Sequence, residues 1–127
     1  MRNWKRILGM LLVLLAVTAM AELATRTIGD AAATNRRLVS AAACKLYAVT
    51  GINSGPDQFI QVFQTNALPA NGAVPIFSVI VGTGQFYSFD FGTYGADLDK
   101  VYICCSTTTN TLTLGSSNVS ITAIIGR

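Results

Sequence analysis

The chain has 127 residues, nine Lys and Arg against six Asp and Glu, three cysteines and no histidine. That length holds one domain with a core of its own and is too short for two. The missing histidine excludes Ser-His-Asp and Cys-His nucleophile activation and every His-ligated metal site.

At the start of the chain, Met1–Arg6 carries Arg2, Lys5 and Arg6, and Ile7 to Met20 is an uncharged apolar run closed by Ala19-Met20-Ala21 before Glu22. A basic head, a short apolar middle and small residues at the cleavage point make residues 1–21 a secretory signal peptide. The other reading is an uncleaved membrane anchor, a hydrophobic helix giving membrane contact through residues 1–21. Over Ile7–Ala21 such a helix would be roughly 22 Å long, short of the roughly 30 Å hydrocarbon core. The expected location is therefore exported, and membrane-anchored if the segment is kept. Beyond it the charges balance: Arg26, Arg36, Arg37, Lys45, Lys100 and Arg127 against Glu22, Asp30, Asp57, Asp90, Asp97 and Asp99. The basic surplus belongs to the leader and leaves no clustered patch for nucleic acid.

Residues 22–35 show no strong period and read as a linker, or as an arm that pairs with a neighbouring subunit. From residue 36 to 127 short strands alternate with turn chemistry. The expected strands are Leu38–Ala41, Lys45–Thr50, Gln58–Gln64, Ile76–Val81, Gln85–Phe91, Val101–Ser106, Thr111–Leu114 and Asn118–Ile125, rich in β-branched and aromatic residues. Tyr87, Phe89 and Phe91 share one face of the fifth, and Val119, Ile121, Ala123 and Ile125 one face of the last. Asn53-Ser54-Gly55-Pro56-Asp57, Pro69-Ala70-Asn71-Gly72, Gly82-Thr83-Gly84, Gly92-Thr93-Tyr94-Gly95 and Gly115-Ser116-Ser117 supply the bends. The pattern predicts an all-β fold, an antiparallel β-sandwich of seven to eight short strands, jelly-roll-like, preceded by the N-terminal hydrophobic helix. A small barrel is the alternative.

Phe59-Ile60-Gln61-Val62-Phe63 has large apolar groups on both faces. Either the strand is buried on both sides, or the Phe59 and Phe63 face is a subunit contact. Cys104 and Cys105 are adjacent and so point to opposite faces, which makes a bond between them strained. Cys44 could pair with one of them, or all three serve as small core residues.

Asp97 and Asp99 are the only close acids; they read as a solvated turn, and Ala96–Lys100 lacks the spaced oxygens of a calcium loop. No phosphate-binding loop, dinucleotide fingerprint or nucleophile elbow occurs. Asn118-Val119-Ser120 matches a glycosylation sequon inside an expected strand. No catalytic, cofactor-binding or metal-binding residue is expected.

Thr34-Asn35, Val39-Ser40-Ala41, Leu46–Asn53, Gln58–Phe63, Pro69–Pro75 and Phe89-Asp90-Phe91-Gly92 form a series that spans about Thr34 to Ile125. Together they resemble a loose group of small, mostly uncharacterised bacteriophage-type virion-associated β-sandwich proteins, and the resemblance adds a virion-surface location to the expectation. It implies a compact sandwich displayed on, or built into, a virus particle, and it offers no active residues. The expected function is that of a non-enzymatic structural protein acting through subunit or surface contacts. Its partners would be further copies of itself or other particle proteins, with no nucleic acid, no small-molecule substrate and no cofactor. The alternative is a secreted binding module that recognises glycan or protein through loops at one end of the sandwich, with Tyr94 and the Asn66–Val74 loop as contacts.

Overall fold

The structure, a computed structural model, describes residues 26–29 and 32–126. The signal peptide or membrane anchor expected at residues 1–21 lies outside the described residues. Nine strands follow in chain order: β1 (Arg26–Gly29), β2 (Arg36–Ser40), β3 (Cys44–Ile52), β4 (Gln58–Phe63), β5 (Phe77–Val81), β6 (Phe86–Asp90), β7 (Ala96–Leu98), β8 (Val101–Ser106) and β9 (Thr122–Gly126). No helix occurs among the described residues.

The strands form two antiparallel sheets. Sheet one has the order β1-β9-β3-β6, with β7 also paired to β3, and sheet two the order β2-β8-β4-β5. The pairs are nested: first strand with last, second with second-last, third with β6 and β7, fourth with fifth. Successive pairs alternate between the sheets, which is the winding of a jelly roll.

Alternation along each strand selects the core. Leu46 and Val49 of β3 and Ala123 and Ile125 of β9 meet Ile60 and Val62 of β4 and Val101, Ile103 and Cys105 of β8. Each such aliphatic side chain, fully withdrawn from water, is worth about 1.5–3 kcal/mol. Phe77 of β5 closes one flank against Phe89 and Phe91, with ring centroids 5.7 and 5.3 Å away. Tyr87 stacks on Phe89 at 5.3 Å and reaches across β3 to donate its O–H to the Ser120 carbonyl at 2.7 Å. Only glycine fits at Gly51 beneath it, since an added Cβ would lie 2.7 Å from the Tyr87 hydroxyl.

The structure differs from the sequence expectation in four places. The segment 22–35 is not simply a linker: Arg26–Gly29 is an edge strand hydrogen-bonded to β9, and Thr34 bridges Val119. Ala96–Leu98, expected as a turn, pairs with Cys44–Leu46. Thr111–Leu114 is no strand; it makes one bridge, Ser106 to Leu114, and otherwise folds as a loop over sheet two. The last expected strand is divided, with Val119 bridging Thr34 and Asn53 before β9 begins at Thr122.

Candidate functional site

The outer face of sheet two is closed by the chain itself over β4 and β8. Gln61 is completely buried there, and its Nε2 donates to the carbonyls of Thr108 at 2.8 Å and Thr109 at 3.0 Å. Ser106, also fully buried, accepts from the backbone N–H of Thr108 and Thr113 at 3.1 and 3.0 Å. These two side chains hold the 107–113 loop down, and Leu112 then seals a small second cluster with Phe63 and Cys104. The 66–74 loop adds a strap: Gly72 N–H donates to Leu112 O and Leu112 N–H to Ala73 O, both at 2.7 Å. Phe63 is therefore buried within its own chain rather than offered to a partner. Of the two readings of the Phe59–Phe63 strand, burial on both faces is the one realised, with Phe59 half-buried.

The outer face of sheet one is open. Thr27, Thr50, Thr122 and Ser120 line a trough of about 560 Å³, with Ile52 and Phe86 at one end. Ile52 and Phe86 are register partners on β3 and β6, and Phe86 is 83% exposed. Its lining is of hydroxyls and apolar groups, with no carboxylate or amine. Such a surface can offer hydrogen bonds and a ring face to a neutral ligand, and cannot supply a general acid or base.

The sequence-level candidates are scattered. Asp97 is ion-paired to Lys45 at 2.7 Å, and this hydrogen bond raises the lysine above its usual range. Asp99 accepts from Gln64 Nε2 at 3.2 Å. Both acids border a shallow cavity of about 240 Å³ beside Lys45, and each is already engaged. Among the described residues no group of three or more His, Cys, Asp or Glu could hold a metal ion. Tyr94 is 86% exposed in the Gly92–Gly95 turn that joins β6 to β7 of sheet one, while the 66–74 loop is tied over sheet two.

All three cysteines are buried thiols, so they serve as core residues. Cys104 lies under the loop and Cys105 between the sheets, on opposite faces as adjacent strand residues must be. Burial pushes both thiols up to about 12. Neither is a nucleophile near neutral pH, because the thiolate is the reactive form.

The sandwich has two contrasting flanks. On one, β1 touches β2 across the fold, and Arg26, Arg36 and Arg37 lie on these strands. On the other, β5 and β6 face each other through Phe77 and Phe89. Between Asp57 and Asp90 the chain carries no charged residue at all. Of the seven exposed large apolar side chains among the described residues, five fall in that span: Leu68, Val74, Ile76, Ile80 and Phe86. The uncharged span is readable in the sequence; the fold distributes its exposed apolar side chains over the β5 edge of sheet two (Ile76, Ile80), the 66–74 loop (Leu68, Val74) and the outer face of sheet one (Phe86).

No protein-family model matches the chain, and no curated protein matches it. Among solved structures it is similar to the Tobacco streak virus coat protein, with a TM-score of 0.45 and 10% identity, over 82% of this chain and 85% of that one. A likeness at that level carries no residue role across.

Proposed function

We propose that this chain is a non-enzymatic structural protein, a subunit of a virus-like particle or exported assembly that acts through contacts between copies or with other particle proteins. The observation that carries this reading is the uncharged span between Asp57 and Asp90, which exposes five large apolar side chains on a domain of sparse charge. Exposed apolar surface of this kind marks interaction sites. The finer assignment, a virion protein of bacteriophage type, draws on the sequence resemblance from Thr34 to Ile125. Placement outside the cytoplasm draws on the pattern of residues 1–21.

Density-gradient purification of particles from the source, followed by intact-mass measurement, tests the reading. The chain is expected in the particle fractions in many copies, starting at Glu22 if the leader is cleaved and at Met1 if it anchors. Recovery only as a soluble monomer, absent from every particle fraction, overturns it.

The hydroxyl-lined trough favours a second reading, a secreted module that binds neutral glycan, now on a sheet face rather than through end loops. Phe86 would stack on a sugar ring while Thr50 and Thr122 hydrogen-bond to it. Binding on a glycan array that is lost in Phe86→Ala supports this reading, and an array without a hit ends it.

A further inference from the structure

We propose that β5 is the strand through which two copies of this chain join, pairing antiparallel about a two-fold axis and extending sheet two across both molecules. The proposal rests on the subunit-contact reading above and assigns its location.

An open strand edge is a template for another strand, and proteins guard such edges with charge, proline, bulges or shortness. Sheet one ends on one side at β1, four residues long with Arg26. Its other side is broken, because β6 and β7 share the β3 edge in two short pieces separated by the 91–95 turn, and β6 ends in Asp90. Sheet two ends at β2, which carries Arg36 and Arg37 and is bulged between Leu38 and Ser40. β5 (Phe-Ser-Val-Ile-Val), five residues long like β6, carries no charge, no proline and no bulge. All five of its residues pair with β4 in continuous register, with no bulge. Beside that edge the outer face shows Ile76 and Ile80, 54% and 58% exposed.

The occupant is a second copy for two reasons. A two-fold antiparallel pair is self-complementary, so the surface it requires is the one already present. And β5 carries no charge, so two copies bring no like charges together where they meet. Centred on Val79, the pairing sets Ile80 beside Ser78 of the other copy and Phe77 beside Val81. A stable dimer buries about 1,200–2,000 Å²; the five strand residues and Ile76 supply a fraction of that. The contact is accordingly weak by itself, and gains strength when many are made in one assembly.

Sedimentation velocity of the full-length chain over a wide concentration range, with hydrogen exchange of the β5 amides, tests this. Wild type is expected to self-associate, with β5 exchange slowing as concentration rises. Ile80→Lys and Ser78→Lys are each expected to weaken association at least tenfold, while Leu38→Lys on the opposite edge leaves it unchanged. Two lysine variants are used so that one failing to fold leaves the other informative, and the urea midpoint checks both. Association that survives the β5 variants overturns the β5 assignment and leaves the subunit reading standing. A wild-type chain that stays monomeric throughout overturns both.

Discussion

The two outer faces of this sandwich have opposite fates. On sheet one the outward Thr27, Thr50 and Thr122 of β1, β3 and β9 line an open trough with Ile52 and Phe86 at one end. On sheet two the outward side chains of β4 and β8 include Phe63, Cys104 and Gln61, all buried beneath the 107–113 loop. Both faces come from the same alternating pattern. The difference is that sheet two places a buried amide and a buried hydroxyl where a loop can bind, so its apolar residues are satisfied within the chain. An apolar outer face is thus no proof of a partner; the chain must first be asked whether it covers the face itself.

Truncating one side chain on each face gives the sharpest test of that contrast. Leu112 is 1% exposed and closes the second cluster, so Leu112→Ala is expected to lower unfolding stability by about 2–5 kcal/mol in urea. Phe86 is larger but 83% exposed, and Phe86→Ala is expected to fall within about 0.5 kcal/mol of wild type. Equal losses at the two positions would erase the distinction between a covered and an open face.

Gln61 is the next probe. Gln61→Ala removes the donor that satisfies the Thr108 and Thr109 carbonyls and opens space beneath them. Leaving buried acceptors without a partner costs about 1–3 kcal/mol. Amides of residues 107–113 should then exchange faster than those of β9. A uniform change across both sheets would mean that Gln61 supports the whole fold rather than the loop.

The contrast was half legible in the sequence. β8 spans Val101–Ser106 in pattern and in structure alike, and the inward face of Tyr87, Phe89 and Phe91 follows from alternation alone. β1 escaped notice because four residues carry too little pattern; its partner β9 lies almost a hundred positions away in sequence. Thr111–Leu114 imitated a strand because Thr-Leu-Thr-Leu alternates. Its alternation instead serves to drop Leu112 onto Phe63 and Cys104 while Thr113 stays exposed. The doubly apolar character of β4 is visible in its sequence, but what covers it is a non-local contact that no local window encodes. The trough escaped for the same reason, since Thr27, Thr50 and Thr122 meet only when β1, β3 and β9 are paired.

The thiols distinguish what the loop covers from what the sheets cover. Both Cys104 and Cys105 are raised by burial from the ordinary 9.0 to about 12. The folded state therefore holds these protons more tightly than the unfolded state. Their protonated form favours folding fully below about pH 9, and that advantage is lost as pH rises from about 9 to about 12. Urea midpoints should fall across that window, and Cys104→Ala should flatten the fall. At pH 8 neither thiol should react with a maleimide in the folded protein. In Leu112→Ala, labelling of Cys104 should rise while Cys105 stays protected, because only Cys104 lies under the loop. Equal labelling of both would indicate global opening.

The smallest effect is expected at the ion pair between β3 and β7. Lys45 and Asp97 are 2.7 Å apart, but the aspartate side chain is 80% and the lysine side chain 39% exposed. Water and salt screen such a pair, and holding two mobile side chains offsets most of its attraction. Asp97→Asn should leave the urea midpoint at pH 7 and 0.15 M salt within error of wild type. It should nevertheless return the Lys45 ammonium toward its ordinary titration range, because the hydrogen bond to Asp97 is the leading cause of the upward shift. Since that shift is upward, any stability from the pair is present below the free lysine value and disappears above it, so an alkaline scan is where a difference would surface. A clear midpoint loss at neutral pH would mean that β7 depends on this pair to stay on the sheet. The broken edge of sheet one would then owe its protection to charge as well as to its interruption.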